Sequence, residues 1–164
     1  MSDYLDPLQK IRAIADYQFR RGAGQAIFPD GVDVRLSLVT KKIRFIYLDG
    51  SLLATLRPTN GLFAITLAGA NRLLKRFEPP TLRVRLDDDV EDFVATGSSV
   101  FAKHIIEADP EIRPLDEVIV VNSKDKLLAV GKAILTGKEM LAFKKGVAVR
   151  IRKGIDEGES KCEK

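Results

Sequence analysis

Two consecutive prolines, Pro79 and Pro80, divide this chain more firmly than any other feature of its sequence. A proline inside a helix removes a hydrogen bond and clashes with the preceding turn, and the residue before a proline is pushed toward extended geometry. The helical segment AGANRLLKRF therefore has to stop at Glu78, and the alternating segment TLRVRL starts a new pattern. At 164 residues the chain suffices for one compact domain or two small ones. The prolines favour two: residues 1–79, then 80–153, with a polar flexible tail over 154–164.

The first half opens on an amphipathic helix. In DPLQKIRAIADYQFRRG, Asp6 is placed as a cap, Pro7 suits the first turn, and Leu8, Ile11, Ile14 and Phe19 recur at helical spacing until Gly22. GAGQ reads as the turn that stops it. VDVRLSLV, KKIRFIYLDG, SLLATLRPTNG and LFAIT follow with the alternation and β-branched content of strands, and Asp49-Gly50 reads as a hairpin turn. A second helix then presents Leu73, Leu74 and Phe77 on its apolar side.

After the prolines, DDDVEDFVATG reads as a short helix capped by Asp87 and terminated at Gly97. SVFAKHII, DEVIVVN, LLAVGKAILT and GVAVRIR read as four strands, and GKEMLAFKKG has room for a single helical turn. Short strands at close intervals, interrupted by short helices, point to a small β-barrel. The fold class is α+β: a helix-and-antiparallel-sheet domain followed by a small barrel.

Composition excludes several chemistries. The only cysteine, Cys162, lies in the terminal stretch, so neither a disulfide framework nor a thiolate zinc site forms within one chain. No run approaches the roughly 18 apolar residues of a membrane span, and the N-terminus lacks the plan of a secretory signal; a cytoplasmic protein without membrane attachment is expected. The net charge of +4 is modest, but its distribution is uneven, with 12 Lys and Arg against 7 Asp and Glu in residues 1–80. In the second half the signs separate. Acids gather in residues 87–92 and in the tail, while Lys138, Lys144, Lys145, Arg150, Arg152 and Lys153 crowd one short span. Such a span attracts phosphates, although a solvated face is the commoner origin of a charge run.

The order RVRL, an acidic short helix ending at Gly97, SVFAKHIIEADPEIRPLDEVIVVN, LLAVGKA and GKEMLAFKKGVAVRIR resembles the PUA domain, an RNA-binding module. Within that family it is most similar to the PUA domain that ends archaeosine tRNA-guanine transglycosylases, carried by VFAKHIIEADPEIRP, LLAVGKA and EMLAFKKGVAVRIR. The first half, with GAG and FPDGV, resembles the α/β domain that precedes PUA in those enzymes. The transglycosylase reaction, as the resemblance implies, needs a TIM-barrel domain with an aspartate nucleophile and a cysteine-rich zinc site. A TIM barrel takes about 250 residues, and neither it nor the zinc ligands fit here. The resemblance therefore implies a non-catalytic, cofactor-free module that binds structured RNA, tRNA near its acceptor stem, for a catalytic transglycosylase partner. Two alternatives stay open: a free-standing PUA protein acting in ribosomal RNA modification or ribosome assembly, and a mainly structural subunit.

The family's RNA contacts fall on the short helix, the glycine turn after it and the final strand. By position, the resemblance implies contacts from Gly97, Ser98 and Ser99, from Lys103 and His104, and from Lys144, Lys145, Arg150 and Arg152 in and before the last strand. Many PUA domains carry Pro-Gly where this chain has Lys103-His104; the transglycosylase branch is similar to this chain in placing a lysine before a ring. Alternation puts Val147, Val149 and Ile151 inside the last strand and Arg150 and Arg152 outside, where a solvated barrel exterior is the competing reading. His104, the only histidine, has no nucleophile or carboxylate beside it in a catalytic pattern, so packing or stacking suits it better. Asp87–Asp89 suit a helix's first turn without any metal. GAGQ follows a helix, not a strand, and so does not form a nucleotide loop. Phe101 and Phe143 lie in or beside apolar runs, where aromatics usually enter the core, with base stacking the alternative.

Overall fold

The computed structural model describes residues 6–157 and divides the chain into two compact units, Met1–Arg76 and Phe77–Lys164. In the first unit, α1 (Pro7–Gln18) is followed by α2 (Ala23–Ile27), β1 (Asp33–Leu36), β2 (Ile43–Leu48), β3 (Ser51–Leu56), β4 (Phe63–Ile65) and α3 (Leu67–Arg76). Asp6 stands at the N-cap of α1 as expected, but its side chain makes no capping hydrogen bond. GAGQ is more than a stop. Gly22 turns the chain through φ 96°, and the next five residues wind into α2. Gly24 makes this possible, because a Cβ there would lie 2.3 Å from the carbonyl oxygen of Arg12, and the Asp16 carboxylate accepts the Gly24 N–H at 2.7 Å.

The four strands form one antiparallel sheet in chain order, β1-β2-β3-β4. Asp49 and Gly50 have φ 50° and 83° at the β2–β3 turn, the positive-φ pair that a tight hairpin needs. Phe28 and Phe63 meet at 5.1 Å between ring centroids, and Ile11, Ile27, Ile46, Ile65 and Leu73 complete a fully buried core. Gln18 clamps α1 to the sheet: its amide donates to the Phe63 carbonyl at 2.8 Å while its own oxygen accepts the Phe63 N–H at 2.6 Å.

The second unit contains β5 (Arg83–Leu86), a 3-10 turn over Asp88–Val90, α4 (Glu91–Ala95), β6 (Val100–Phe101), a 3-10 turn over Ala102–His104, β7 (Ile105–Ala108), β8 (Glu117–Val121), β9 (Leu127–Ala133), α5 (Gly137–Ala142) and β10 (Val147–Gly154). Its six strands form one sheet, β6-β10-β9-β8-β5-β7, curled into a nearly closed barrel. Only β5 and β8 run parallel; every other pair is antiparallel. The core is a single cluster that includes Val84, Leu86, Val94, Val118, Val120, Leu128, Met140 and Val149.

Two expectations about this unit are corrected. SVFAKHII is two strands, because β6 pairs with β10 whereas β7 pairs with β5. A segment that changes partner has to bend, and the bend is the 3-10 turn at residues 102–104. The tail does not begin at residue 154. Gly154 ends β10, the Asp156 N–H donates to the Ala95 carbonyl at 2.8 Å, and the Glu157 carboxylate accepts the Gly154 N–H at 2.9 Å. Residues 154–157 are thus hydrogen-bonded into the barrel, and the rest of the expected tail, with Cys162, lies outside the described residues.

Among the described residues of this unit, three charged side chains are buried. Arg83 is 2% exposed, donates to the Phe77 and Thr81 carbonyls and pairs with Asp125 at 2.5 Å. Asp109 accepts the backbone N–H groups of Leu82 and Glu111 at 2.8 and 2.9 Å. Glu117 is gripped by Arg152, as described below. Buried charge is tolerated where its hydrogen-bonding capacity is met in this way.

Candidate nucleic-acid interface

The Asp87 carboxylate accepts the Asp89 N–H at 3.0 Å and starts the acidic short helix. At its far end Gly97 adopts φ 108°, a left-handed conformation that glycine takes without penalty. The Gly97 and Ser98 N–H groups close on the Val94 and Phe93 carbonyls at 3.0 Å each. The space beside the Gly97 α-carbon is filled by the Glu157 carboxylate, 2.5 Å from where a Cβ would stand. Ser98 is exposed and Ser99 half-buried.

From this turn the chain enters β6, an edge strand of the barrel. Phe101 pairs with Val147, Val100 pairs with Val149, and the Ala102 N–H donates to the Gly146 carbonyl at 3.0 Å. This register brings the exposed Lys103 alongside the loop that carries the exposed Lys144 and Lys145, and it brings the serine turn alongside the Arg150 end of β10. His104 turns the other way. Its Nδ1 lies 3.5 Å from the Asp87 carboxylate, and its backbone carbonyl accepts the Asp87 N–H at 3.0 Å. The backbone bond therefore ties the start of the acidic helix to the 3-10 turn, with the ring beside it.

Between α4 and β6 lies a groove of about 320 Å³ lined by Phe93, Ser98, Ser99, Phe101 and His104 above apolar Val90, Val94 and Val100. Phe93 and Phe101 are 65% and 46% exposed. Phe143 is exposed as well, so neither Phe101 nor Phe143 enters the core. Alternation carries the missed signal: Val100 and Ala102 are buried, and Phe101 and Lys103 face out. Phe93 follows from no feature of the sequence except its place on the outer side of the short helix.

Arg150 and Arg152 are both exposed but have different partners. Arg150 is exposed, directly opposite Lys132 on β9. The Arg152 guanidinium instead forks onto Glu117 of β8, with both N–O distances at 2.6 Å, and the Glu117 side chain is 1% exposed. An arginine in a two-point grip on a buried carboxylate is occupied. The rest of its donor set faces outward, since the Arg152 side chain is 34% exposed. Gly97, Ser98, Ser99, Lys103, Lys144, Lys145 and Arg150 border one edge, with His104 in the adjoining groove and Arg152 further along β10, exposed and paired with Glu117. Among the described residues no group of three or more His, Cys, Asp or Glu is placed to hold a metal ion, and no helix is long and apolar enough to cross a membrane.

Two family models match the chain. The patch-forming domain C2 of tRNA-guanine transglycosylase matches residues 9–80, and the PUA domain matches residues 82–155. The tRNA-guanine(15) transglycosylase of Methanothermobacter thermautotrophicus is 45% identical over 150 residues, covering 92% of this chain and 23% of the relative. That of Pyrococcus abyssi is 44% identical over 151 residues, covering 92% and 25%. The chain thus spans about a quarter of the length of the curated relatives it matches. Among solved structures, a hypothetical protein of Pyrococcus horikoshii OT3 aligns with a TM-score of 0.75 at 22% identity, covering 94% of this chain and 93% of that one. A conserved PUA domain protein of Thermoplasma acidophilum aligns at 0.65 and 23% identity, covering 98% and 99%. At these identities the structural likeness is one of fold.

Proposed function

Since this chain belongs to the PUA-domain family and carries ahead of that domain the patch-forming domain C2 of tRNA-guanine transglycosylase, we propose that it binds structured RNA as the tRNA-holding module of such a transglycosylase. The observation that carries the proposal is the 45% identity to a tRNA-guanine(15) transglycosylase over 92% of the chain. The ligand is tRNA, gripped near its acceptor stem. Lys103, Lys144, Lys145 and Arg150 supply phosphate contacts along one barrel edge, and Ser98 and Ser99 supply hydroxyl partners. Such contacts fix register and orientation without reading bases, which suits an A-form stem whose deep major groove excludes side chains. Phe93 and Phe101 beside the groove suit an unpaired base at the end of the stem, since RNA-binding aromatics work by stacking on splayed nucleotides.

The chain contributes position, and base exchange belongs to a catalytic partner domain. Binding of labelled tRNA and of an acceptor-stem minihelix, measured against salt, tests this reading. Lys144→Ala/Lys145→Ala is expected to weaken both and to lower the log-log salt slope by roughly 0.7–0.9 per lost phosphate contact, with the thermal transition unchanged. Unchanged affinity and slope in a folded double variant would remove the barrel edge from the interface. Guanine exchange by the purified chain alone would refute the division of labour.

A further inference from the structure

A second cationic site lies wholly within the first unit. An antiparallel meander puts its β1–β2 and β3–β4 turns at one end of the sheet and the Asp49-Gly50 turn at the other. At the two-turn end is a cavity of about 490 Å³, within the roughly 300–1,000 Å³ range of small-ligand pockets. Among the described residues five cations line it: Lys10 of α1, Lys41 and Lys42 of the first turn, Arg44 of β2, and Arg57 at the start of the second turn. Among the described residues no carboxylate does. Three acids of this unit have partners of their own: Asp30 pairs with Arg12 at 3.2 Å, Asp33 pairs with Arg35 at 2.9 Å, and Asp16 accepts the Gly24 N–H. The floor is aliphatic, from Leu36, Ile43, Leu56 and Pro58.

Both turns are internally closed. The Ser37 carbonyl accepts the Lys41 N–H at 2.9 Å and the Ser37 N–H donates to the Lys42 carbonyl at 2.7 Å; the Arg57 carbonyl and N–H do the same with Gly61 and Leu62 at 2.9 and 2.8 Å. The walls are thus held in place before a ligand arrives. A ligand for this cavity has to offer negative charge to a rim and an apolar surface to a floor at the same time.

We propose that this cavity seats one unpaired nucleotide of an RNA strand, its base on the aliphatic floor and its flanking phosphates on the Lys and Arg rim. A duplex presents only phosphate and sugar and leaves the floor unused. An unpaired strand offers both faces, the combination that single-strand sites exploit. The inference takes from the preceding reading only that RNA is the ligand class, and it does not depend on the barrel edge.

The test is fluorescence anisotropy with the whole chain and an eight-nucleotide unpaired RNA, the same strand with abasic positions, and a blunt RNA duplex. The natural strand is expected to bind roughly tenfold more tightly than the abasic strand, the effect of one seated base. Lys10→Ala/Lys42→Ala alters two exposed side chains, so the fold is kept. This variant is expected to weaken binding and lower the salt slope by about 1.4, two single-strand phosphate contacts. Leu36→Gln, also at an exposed position, is expected to erase the preference for the natural strand while leaving the slope alone. Equal binding of natural and abasic strands, an equally tight duplex, or equal competition by an acidic peptide would overturn the proposal. So would loss of the strand's binding in Lys144→Ala/Lys145→Ala, which would assign it to the barrel edge. If that variant instead leaves tRNA binding untouched, the barrel-edge reading fails while the cavity result stands.

Discussion

Replacing Arg152 with alanine measures how far the Arg152–Glu117 pair stabilises the barrel. The substitution leaves the Glu117 carboxylate, 1% exposed, without its two-point partner, while Arg152 itself is 34% exposed. Removing one member of a fully buried ion pair costs about 3–5 kcal/mol, and exposed pairs contribute about 1 kcal/mol or less. With one partner buried and the other a third open to solvent, the expected loss is about 2–3 kcal/mol. For a unit of this size that lowers Tm by about 10–20 °C. The three tyrosines all lie in the first 47 residues, so their fluorescence does not follow the barrel. Amide hydrogen exchange in Glu117–Val121 and Val147–Gly154 does. Arg150→Ala is the control and is expected to stay within about 0.5 kcal/mol of the parent. A cycle with Glu117→Gln completes the test, because the double variant is expected to be more stable than the sum of the single losses by at least about 1 kcal/mol. Equal effects of Arg150→Ala and Arg152→Ala, or a cycle that closes without coupling, would refute the assignment. The result bears on the interface too: weakened RNA binding in any variant lacking Arg152 has to be corrected for unfolded protein before it is read as a lost contact.

Two further outcomes follow from the same unit. Thr136 and Glu139 form a reciprocal capping box, with hydrogen bonds of 3.0 and 2.9 Å, so Thr136→Ala is expected to cost about 1 kcal/mol in denaturant titrations, and a change below 0.3 kcal/mol would mean that α5 is held by packing alone. Phe101→Ala, at an exposed position, is expected to weaken binding of a minihelix with an unpaired end by about 1–3 kcal/mol without affecting a blunt one or thermal stability; equal effects on both RNAs would exclude stacking.

Local rules reached far into this chain. The prolines at 79 and 80, the positive-φ turn at Asp49-Gly50, the Asp87 cap and the Gly97 stop all follow from steric and hydrogen-bonding demands within a few residues, and the elements stand close to where those demands put them. Alternation correctly sent Arg150 and Arg152 outward, and read more strictly it would have sent Phe101 out with Lys103. What it does not contain is the identity of a neighbour. Arg152 and Glu117 are 35 positions apart, and they meet only because β9 lies between β10 and β8 in a fixed register.

The same limit explains the break in SVFAKHII, whose composition is that of one strand. Its two ends serve opposite edges of a six-stranded sheet, and the turn at residues 102–104 comes from barrel curvature, not from any local breaker. GAGQ likewise became a helix because Gly24 lets α2 approach the backbone of α1. The sequence by itself determined where elements start, stop and turn, since those are contests among neighbouring residues. Only the tertiary structure decided which exposed cation is paired with a buried carboxylate and which lies opposite another cation, because that depends on which strands are brought side by side by residues distant along the chain.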